Sequence, residues 1–179
     1  MEASCIRQTE LPHTTRLFAD LIYHRERVAR FYPSPSYKEA AAAIDFSAGK
    51  RAALVSALRA RSGGGPLLDM LAKPGTVAVV TGQQVGLFSG PAYTIYKTLT
   101  AVKLARELTA QGIAAVPIFW LATEDHDFAE VNKAWIFDRE YQPHELRAGA
   151  NPGPNQPVGG VVLDSVPMDE LAAILHGLP

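Results

Sequence analysis

Residues 77–91 read VAVVTGQQVGLFSGP, a short apolar run that leads into a glycine-rich stretch and a proline. Four consecutive apolar residues, 77–80, are typical of a parallel strand that is buried on both faces. The glycine-rich stretch, 81–90, then predicts a loop. Pro91 suits the first position of a helix, because the N–H that proline lacks would be unpaired there. Together these residues predict a strand, a loop and a helix in direct succession.

The following residues predict the rest of a βαβ unit. Apolar residues recur at helical spacing over 92–110, and Gly112 is a natural helix end. A second apolar run, 113–121, predicts the next strand. Pro117 lies within that run, so we expect its early part at a sheet edge or in a bulge. The unit places the chain in the α/β class, with parallel strands and a right-handed crossover.

Helices are also predicted on both sides of this unit. The first covers residues 10–32, with Thr14 or Thr15 as its cap and Pro33 and Pro35 beyond its end. Periodicity and the positions of Gly, Pro and Asn predict the remaining elements. They are a helix over 38–61 with Ile44, Leu54, Val55 and Leu58 on its buried side, a stop at 62–66, a loop at 151–157, a strand at 158–163 and a helix at 168–175.

These elements divide the chain into three segments. They are an N-terminal helical segment (1–75), a βαβ core (76–137) and the start of a further core or connective segment (138–179). Two or three strands are few for a complete doubly wound sheet. We therefore expect an open sheet edge and an uncovered apolar face, and a chain that is marginally stable, tends to aggregate and lacks ligase activity on its own.

Composition excludes several classes of protein. The 179 residues carry 17 Lys+Arg and 18 Asp+Glu, a formal net charge of −1, so a basic nucleic-acid-binding surface is not expected. The single cysteine, Cys5, excludes an internal disulfide and a multi-cysteine zinc site. No apolar run is long enough to span a bilayer, and no signal-peptide pattern is visible. We expect a cytoplasmic protein without membrane or nucleic-acid partners.

Two polar clusters are predicted to meet at one edge of the sheet. One is the glycine-rich loop after the first strand, and the other is TEDHD, residues 123–127, after the second. Loops that leave parallel strands emerge at the same carboxyl edge, which is where open α/β sheets bind their ligands. The sequence therefore predicts a single site built from both loops.

The glycine-rich loop predicts a binding site for an anion or a sugar. Glycines let the backbone approach a ligand, and free N–H groups at the start of the next helix favour an anion. Glutamine amides both donate and accept, and a lysine in the second helical turn leans back toward the same ligand. The candidate binding residues are Gly82, Gln83, Gln84, Gly86, Ser89, Gly90, Tyr93 and Lys97. The alternative is a tight structural turn beside a lysine that lies along the surface.

Four titratable residues, Glu124, Asp125, His126 and Asp127, follow the second apolar run. Like charges this close need a cation, a proton or hydrogen bonds to offset their repulsion. Three interpretations stay open: a metal site, a general base in which a carboxylate orients His126, or a cap in which Asp125 or Asp127 accepts from helix N–H groups. We take the four as candidate catalytic residues and assign no metal ligand.

Residues 81–97 and 117–128 together resemble the bacillithiol biosynthesis cysteine-adding enzymes, a family of cysteine ligases. The resemblance extends to LP at 11–12, FY at 31–32 and QPVG at 156–159, and so covers nearly the whole chain. It implies a Rossmann-like core and two small-molecule substrates, cysteine and glucosaminyl-malate, which the family joins through an amide bond. It also implies longer relatives, with a C-terminal coiled coil that makes a homodimer.

The resemblance leaves the cofactor open. ATP is implied by the likeness of the family to nucleotidyl-transferring ligases, but the first loop lacks their histidines, and Cys5 alone builds no zinc–thiol site. Three hypotheses follow. The chain is a ligase in which His126 deprotonates the sugar amine while Glu124 and Asp127 orient it, or an inactive N-terminal fragment or sugar- or anion-binding module, or a metal-dependent hydrolase built on the acidic residues.

Overall fold

The computed structural model describes residues 5–34 and 36–178. The chain forms two compact units, Met1–Ser47 and Ala48–Pro179, and each is described by itself. The predicted division at residues 75 and 137 stays a prediction about domain organisation. In the described part of the chain, no helix is both long enough and apolar enough to cross a membrane.

The first unit is made of short helical pieces. They are a 3₁₀ turn at Gln8–Glu10, helix α1 at Arg16–Tyr23, a 3₁₀ turn at Arg25–Val28 and helix α2 at Tyr37–Ala42. Thr15 caps α1, accepting a hydrogen bond from the N–H of Phe18 at 3.3 Å. Ser36 caps α2 in the same way, with the N–H of Glu39 as donor.

The predicted helix over 10–32 is too long. Helix α1 ends at Tyr23, because His24 leaves the helical conformation with φ −143° and ψ 52°. The four residues 24–27, HRER, have no apolar side chain, so another α-helical turn there would bury no apolar surface. Pro33 follows the 3₁₀ turn, and Pro35 lies outside the described residues.

The predicted helix over 38–61 is two helices. Helix α2 ends at Ala42, and α3 covers Ala48–Ser62. The residues between them include Ile44, Asp45 and Phe46, which have lower helix propensity than the alanines before them. The predicted stop at 62–66 is confirmed, but a further helix, α4 at Pro66–Leu71, follows at once. Its proline lies in the first turn, where proline is tolerated.

Helices α3 and α4 pack on the sheet through a small core of Val55, Leu71 and Val116. Leu58 packs partly buried against this core, so two of the four predicted buried residues of the 38–61 segment are confirmed. The other two predicted residues, Ile44 and Leu54, are exposed. The side chain of Arg51, from α3, donates to the carbonyls of Leu71 and Thr76 at 2.8 and 2.9 Å.

The centre of the second unit is the predicted βαβ unit. Strand β1 (Val77–Gln84) pairs in parallel with β2 (Ala115–Ala122), and helix α5 (Ala92–Ala110) connects them and packs against both. The pairing runs without a shift from Val77↔Ala115 to Gln84↔Ala122. It continues through Pro117, which pairs with Val79, so the alternative of a bulge there is wrong.

Helix α5 has the predicted bounds. Its end is a Schellman motif, in which the N–H of Ile113 bonds to the carbonyl of Leu108 and the N–H of Gly112 to that of Thr109. Gly112 has φ +85°, which glycine adopts without strain. Pro91 is the N-cap and not the first helical residue as predicted, because its ψ of 146° is not helical. Ala92 is the first residue of the helix.

Strand β1 is four residues longer than predicted and includes Gln83 and Gln84. Gly82 permits this, because a Cβ at that position would lie 2.6 Å from the carbonyl oxygen of Trp120 on β2. The prediction that β1 is buried on both faces fails toward its end, where Val80 is 61% exposed. The neighbouring Trp120 is 60% exposed, so the cover by α3 and α4 reaches only the first half of this face.

The rest of the second unit is less regular. It contains a short helix α6 (Phe128–Val131), an antiparallel hairpin of β3 (Lys133–Phe137) and β4 (Pro143–Arg147), and helix α7 (Met168–His176). The prediction of α7 is confirmed to within one residue. The predicted strand over 158–163 is wrong, because the backbone there forms a 3₁₀ turn, Val158–Gly160, whose N–H groups bond to the loop after β2.

Candidate functional site

The two predicted polar clusters meet at the carboxyl edge of β1 and β2. The side-chain amide of Gln84 donates to Oδ2 of Asp125 at 2.9 Å and to Oε2 of Glu130 at 3.4 Å. Gln84 is the last residue of β1, and Asp125 follows the end of β2. The predicted convergence of residues distant in sequence is therefore confirmed.

A chain of side-chain hydrogen bonds continues from Gln84 to α5. Nζ of Lys97 donates to Oε1 of Gln83 at 2.9 Å, and Nε2 of Gln83 donates to Oε1 of Gln84 at 3.0 Å. Nε2 of Gln83 also lies 3.2 Å from the hydroxyl of Tyr93. We call Lys97, Gln83, Gln84 and Asp125 the glutamine relay. Its direction is fixed at both ends, because an ammonium only donates and a carboxylate only accepts.

The relay determines what the two amides can offer a ligand. Each amide has two N–H donors, and all four already have partners. Each carbonyl oxygen has two lone pairs and accepts one hydrogen bond, so Gln83 and Gln84 each keep one acceptor position. The relay therefore presents acceptors, which suit the N–H and O–H groups of a ligand.

The ammonium of Lys97 has two partners within the site. Its ammonium is held by Gln83 and lies 5.3 Å from the centre of the Tyr93 ring, within the range of a cation–π interaction. Its predicted contact with an anion stays a prediction. What the structure adds is that Lys97 orients Gln83.

The turn after β1 is tightly folded. A Cβ on Gly86 would lie 2.7 Å from the Cα of Gly90, so the two glycines permit this close approach. Phe88, Ser89 and Gly90 have φ of 51°, 75° and 68°. Such values cost about 1–3 kcal/mol each for residues other than glycine, and strain of this kind is common at binding sites. Ser89 lines a separate groove of about 500 Å³ beside α5.

The acidic residues have distinct partners. Oδ1 of Asp125 accepts from the N–H groups of His126 and Asp127 at 2.7 and 3.1 Å. The hydrogen bond from Gln84, followed by those from Asp127 and His126, lowers the pKa of the Asp125 carboxyl below its ordinary value. Asp127 caps α6 by accepting from the N–H of Glu130 at 3.0 Å. The capping interpretation is thus confirmed for Asp127 and not for Asp125.

The predicted orientation of His126 by Glu124 and Asp127 is not formed. Oε1 of Glu124 accepts from the indole N–H of Trp120 at 3.4 Å, and Asp127 is occupied as the cap of α6. Within residues 5–34 and 36–178, the imidazole of His126 makes no hydrogen bond or ion pair. In the same residues, no three His, Cys, Asp or Glu side chains are arranged to hold a metal ion.

A cavity of about 320 Å³ lies between the end of β1, the start of α5 and the β3–β4 hairpin. Its lining includes Gln83, Gln84, Tyr93, Glu130, Lys133 and Trp135. This volume is at the lower end of the range for small-molecule sites. Among the predicted candidates, those that line the cavity are Gln83, Gln84, Gly86, Gly90 and Tyr93. The acidic residues 124–127 do not line it.

Sequence reasoning missed Glu130, Lys133 and Trp135. The available signal was the run KAWIF at 133–137, which is rich in β-formers and is followed by an Asp-initiated turn. Asp138 accepts from the N–H groups of Glu140 and Gln142, and bonds to His144 at 2.7 Å. The His144 side chain, and next the N–H of Gln142, lower the pKa of Asp138.

A second element that sequence reasoning missed holds the acidic loop, residues 123–127, in place. The N–H of Val158 donates to the carbonyl of Asp125 at 2.7 Å, and the N–H of Gly159 donates to that of Thr123 at 2.9 Å. A Cβ on Gly159 would lie 2.7 Å from the Cβ of Thr123. The 3₁₀ turn Val158–Gly160 therefore fixes the backbone that carries Asp125.

Comparison with known proteins identifies the family. A family model described as bacillithiol biosynthesis BshC, N-terminal Rossmann-like domain, matches residues 1–177. The chain belongs to this family. The parallel β1–β2 pair with its connecting helix is the Rossmann-like part of the fold, as the sequence predicts.

Curated relatives support the same family assignment. Proteins named "Putative cysteine ligase BshC" are 58% identical in Solibacter usitatus over all of this chain, 41% identical in Koribacter versatilis over 84% of it, and 36% identical in Salinibacter ruber over 91% of it. The matches cover 35%, 30% and 32% of those relatives. The chain therefore spans about a third of the length of the curated relatives it matches.

Proposed function

We propose that this chain is the substrate-binding domain of a cysteine ligase of bacillithiol biosynthesis. The reaction is amide formation between the carboxyl group of cysteine and the amine of glucosaminyl-malate. The names of the relatives support the activity class. The cavity beside the glutamine relay supports the binding role, since it lies at the edge where open α/β sheets bind ligands. A cytoplasmic location and a homodimer of the longer protein belong to the same proposal.

The observation that carries the proposal is the set of acceptors in this cavity. Gln83 and Gln84 each keep one acceptor position, and Glu130 adds a carboxylate. An amino sugar carries an amine and several hydroxyl groups, all of which donate hydrogen bonds to such acceptors. Tyr93 and Trp135 add half-exposed aromatic surface at the cavity wall.

In this proposal His126 is the general base. Its imidazole is exposed and uses no hydrogen bond within the described residues, so it is available to take the proton that the substrate amine loses as the new C–N bond forms. Asp125 positions Gln84 rather than His126. As this bond forms, a C–O bond of the cysteine carboxyl breaks, and its oxygen would leave with the phosphoryl or adenylyl group that ATP, the candidate cofactor, would supply.

The binding role is tested by calorimetric titration of the chain with glucosaminyl-malate. Gln84→Ala leaves the carboxylates of Asp125 and Glu130 without their shared donor, so we expect at least about tenfold weaker binding. Gln111→Ala is the matched control, because Gln111 lies at the opposite end of α5. Equal affinity of the two variants, or no binding by the unmodified chain, contradicts the proposal.

A second candidate, a sugar-binding module without chemistry, is favoured by one observation. Glu124, His126 and Asp127 lie outside the cavity lining. A full-length relative with His126→Ala separates the two candidates. The ligase proposal expects lost product formation with retained substrate binding, whereas the binding-module alternative expects no change in either.

A further inference from the structure

Lys133 is a cation without a partner in a cavity wall. It is half-buried on β3, and its ammonium makes no hydrogen bond or ion pair with any described residue. Holding a charge partly out of water without a partner is unfavourable. A ligand anion would supply the missing partner.

The residue opposite Lys133 increases this unfavourable energy. Lys133 pairs across the hairpin with Arg147, and like charges directly opposite one another destabilise a sheet. Arg147 is neutralised by Glu145, at 2.9 Å from its Nε, and also bonds to Oδ1 of Asn132 at 3.3 Å. The hairpin thus compensates one of its two opposed cations and leaves the other facing the cavity.

The nearby charged groups neither neutralise Lys133 nor offer a ligand anion another free ammonium. Glu130 lines the same cavity, but its carboxylate accepts from the amide of Gln84, and no ion pair joins it to Lys133 within 4.0 Å. Lys97 is held by Gln83 and does not line the cavity. Among the described lysines at this site, Lys133 is the one whose ammonium is free for an anion.

We propose that Lys133 binds a carboxylate of the amine-bearing substrate, so that the β3–β4 hairpin selects an amino sugar joined to a carboxylate arm. This inference rests on the proposed function. The acceptors of the glutamine relay and Glu130 contact the amine and hydroxyl groups, and Lys133 contacts the acid arm. Trp135, two residues along β3 and in the same cavity wall, lies beside the bound molecule.

The test is a thermodynamic cycle on the 179-residue chain. Two ligands, glucosaminyl-malate and methyl glucosaminide, are titrated into the unmodified chain and into Lys133→Met, which keeps an apolar stem and removes the charge. We expect Lys133→Met to bind glucosaminyl-malate about ten- to a hundredfold more weakly and methyl glucosaminide equally well. Lys103→Met, on the exposed side of α5 with 80% of its side chain exposed, is the control and should change neither affinity.

A spectroscopic readout locates the ligand independently. In a Trp120→Phe background, Trp135 is the remaining tryptophan, and its fluorescence should change on addition of glucosaminyl-malate. Lys133→Gln repeats the cycle if Lys133→Met fails to fold, as judged by circular dichroism.

The outcomes separate the two proposals. If the unmodified chain binds no glucosaminyl-malate, the proposed function fails and the role of Lys133 falls with it. If it binds and the Lys133 variants bind equally well, the role of Lys133 is wrong and the proposed function stands. An equal loss for both ligands also overturns the inference, because it shows a structural effect rather than recognition of a carboxylate.

Discussion

Replacing Gly159 by alanine should detach the loop that carries Asp125. The added Cβ would lie 2.7 Å from Cβ and 3.1 Å from the carbonyl oxygen of Thr123, and the latter accepts the N–H of Gly159 itself. Overpacking of this kind costs about 1–3 kcal/mol. For a chain of this length that corresponds to a fall of about 2–12 °C in the thermal midpoint.

Gly160→Ala is a neighbouring control of the same chemistry. The nearest atom to its added Cβ is the flexible Nε2 of Gln156 at 3.7 Å, an ordinary contact. We expect the free energy of unfolding to stay within about 0.5 kcal/mol of the unmodified value, or to rise slightly as the unfolded chain loses freedom. Urea denaturation and thermal melting of both variants provide the measurement. Equal stabilities, or a larger loss for Gly160→Ala, would refute the idea that this turn holds the acidic loop.

The remaining predictions concern single side chains. Because hydrogen bonds lower the pKa of Asp125, its ionised form stabilises the fold above the unfolded carboxyl value of about 4, and this stabilisation disappears as the pH falls through the lower folded value. Asp125→Asn should therefore reduce the difference in urea midpoint between pH 7 and pH 3, and exposed Asp164→Asn should not. Lys97→Ala removes the donor that orients Gln83 and should weaken calorimetric binding of glucosaminyl-malate about ten- to a hundredfold; unchanged affinity would remove Lys97 from the site. His126→Ala in a full-length relative should lower the rate about 10²- to 10⁴-fold with an unchanged thermal midpoint, and a matching loss of stability would instead favour a structural role. Metal analysis of protein purified without chelator should find no stoichiometric zinc or manganese, and a reproducible equivalent of either would support the hydrolase alternative.

The elements that the sequence predicts well are those with strong local signals. Helix α5 has continuous apolar periodicity and a glycine at its end, and β2 is an uninterrupted apolar run. The end of β1 was missed because Thr81 to Gln84 are not apolar, and their strand conformation depends on pairing with β2. The break between α2 and α3 was missed because the alanines on either side suggest one helix.

The sequence predicts which residues lie near one another at the site but not which hydrogen bonds they form. Two loops after two parallel strands must emerge together, which places Gln84 and Asp125 near each other. Which carboxylate Gln84 contacts, and that Asp127 caps a four-residue helix, depend on local backbone angles. Lys133 lines the cavity because β3 contacts the turn after β1, and no short-range pattern specifies a contact between segments so distant in sequence.

The most direct test of the central claim is a nuclear magnetic resonance titration of the nitrogen-15-labelled chain with glucosaminyl-malate. If the ligand occupies the cavity beside the glutamine relay, the side-chain amide signals of Gln83 and Gln84 and the indole signal of Trp135 shift together, while those of Gln111 and Trp120 stay in place. Saturating ligand that leaves the Gln83, Gln84 and Trp135 signals unmoved would contradict the account.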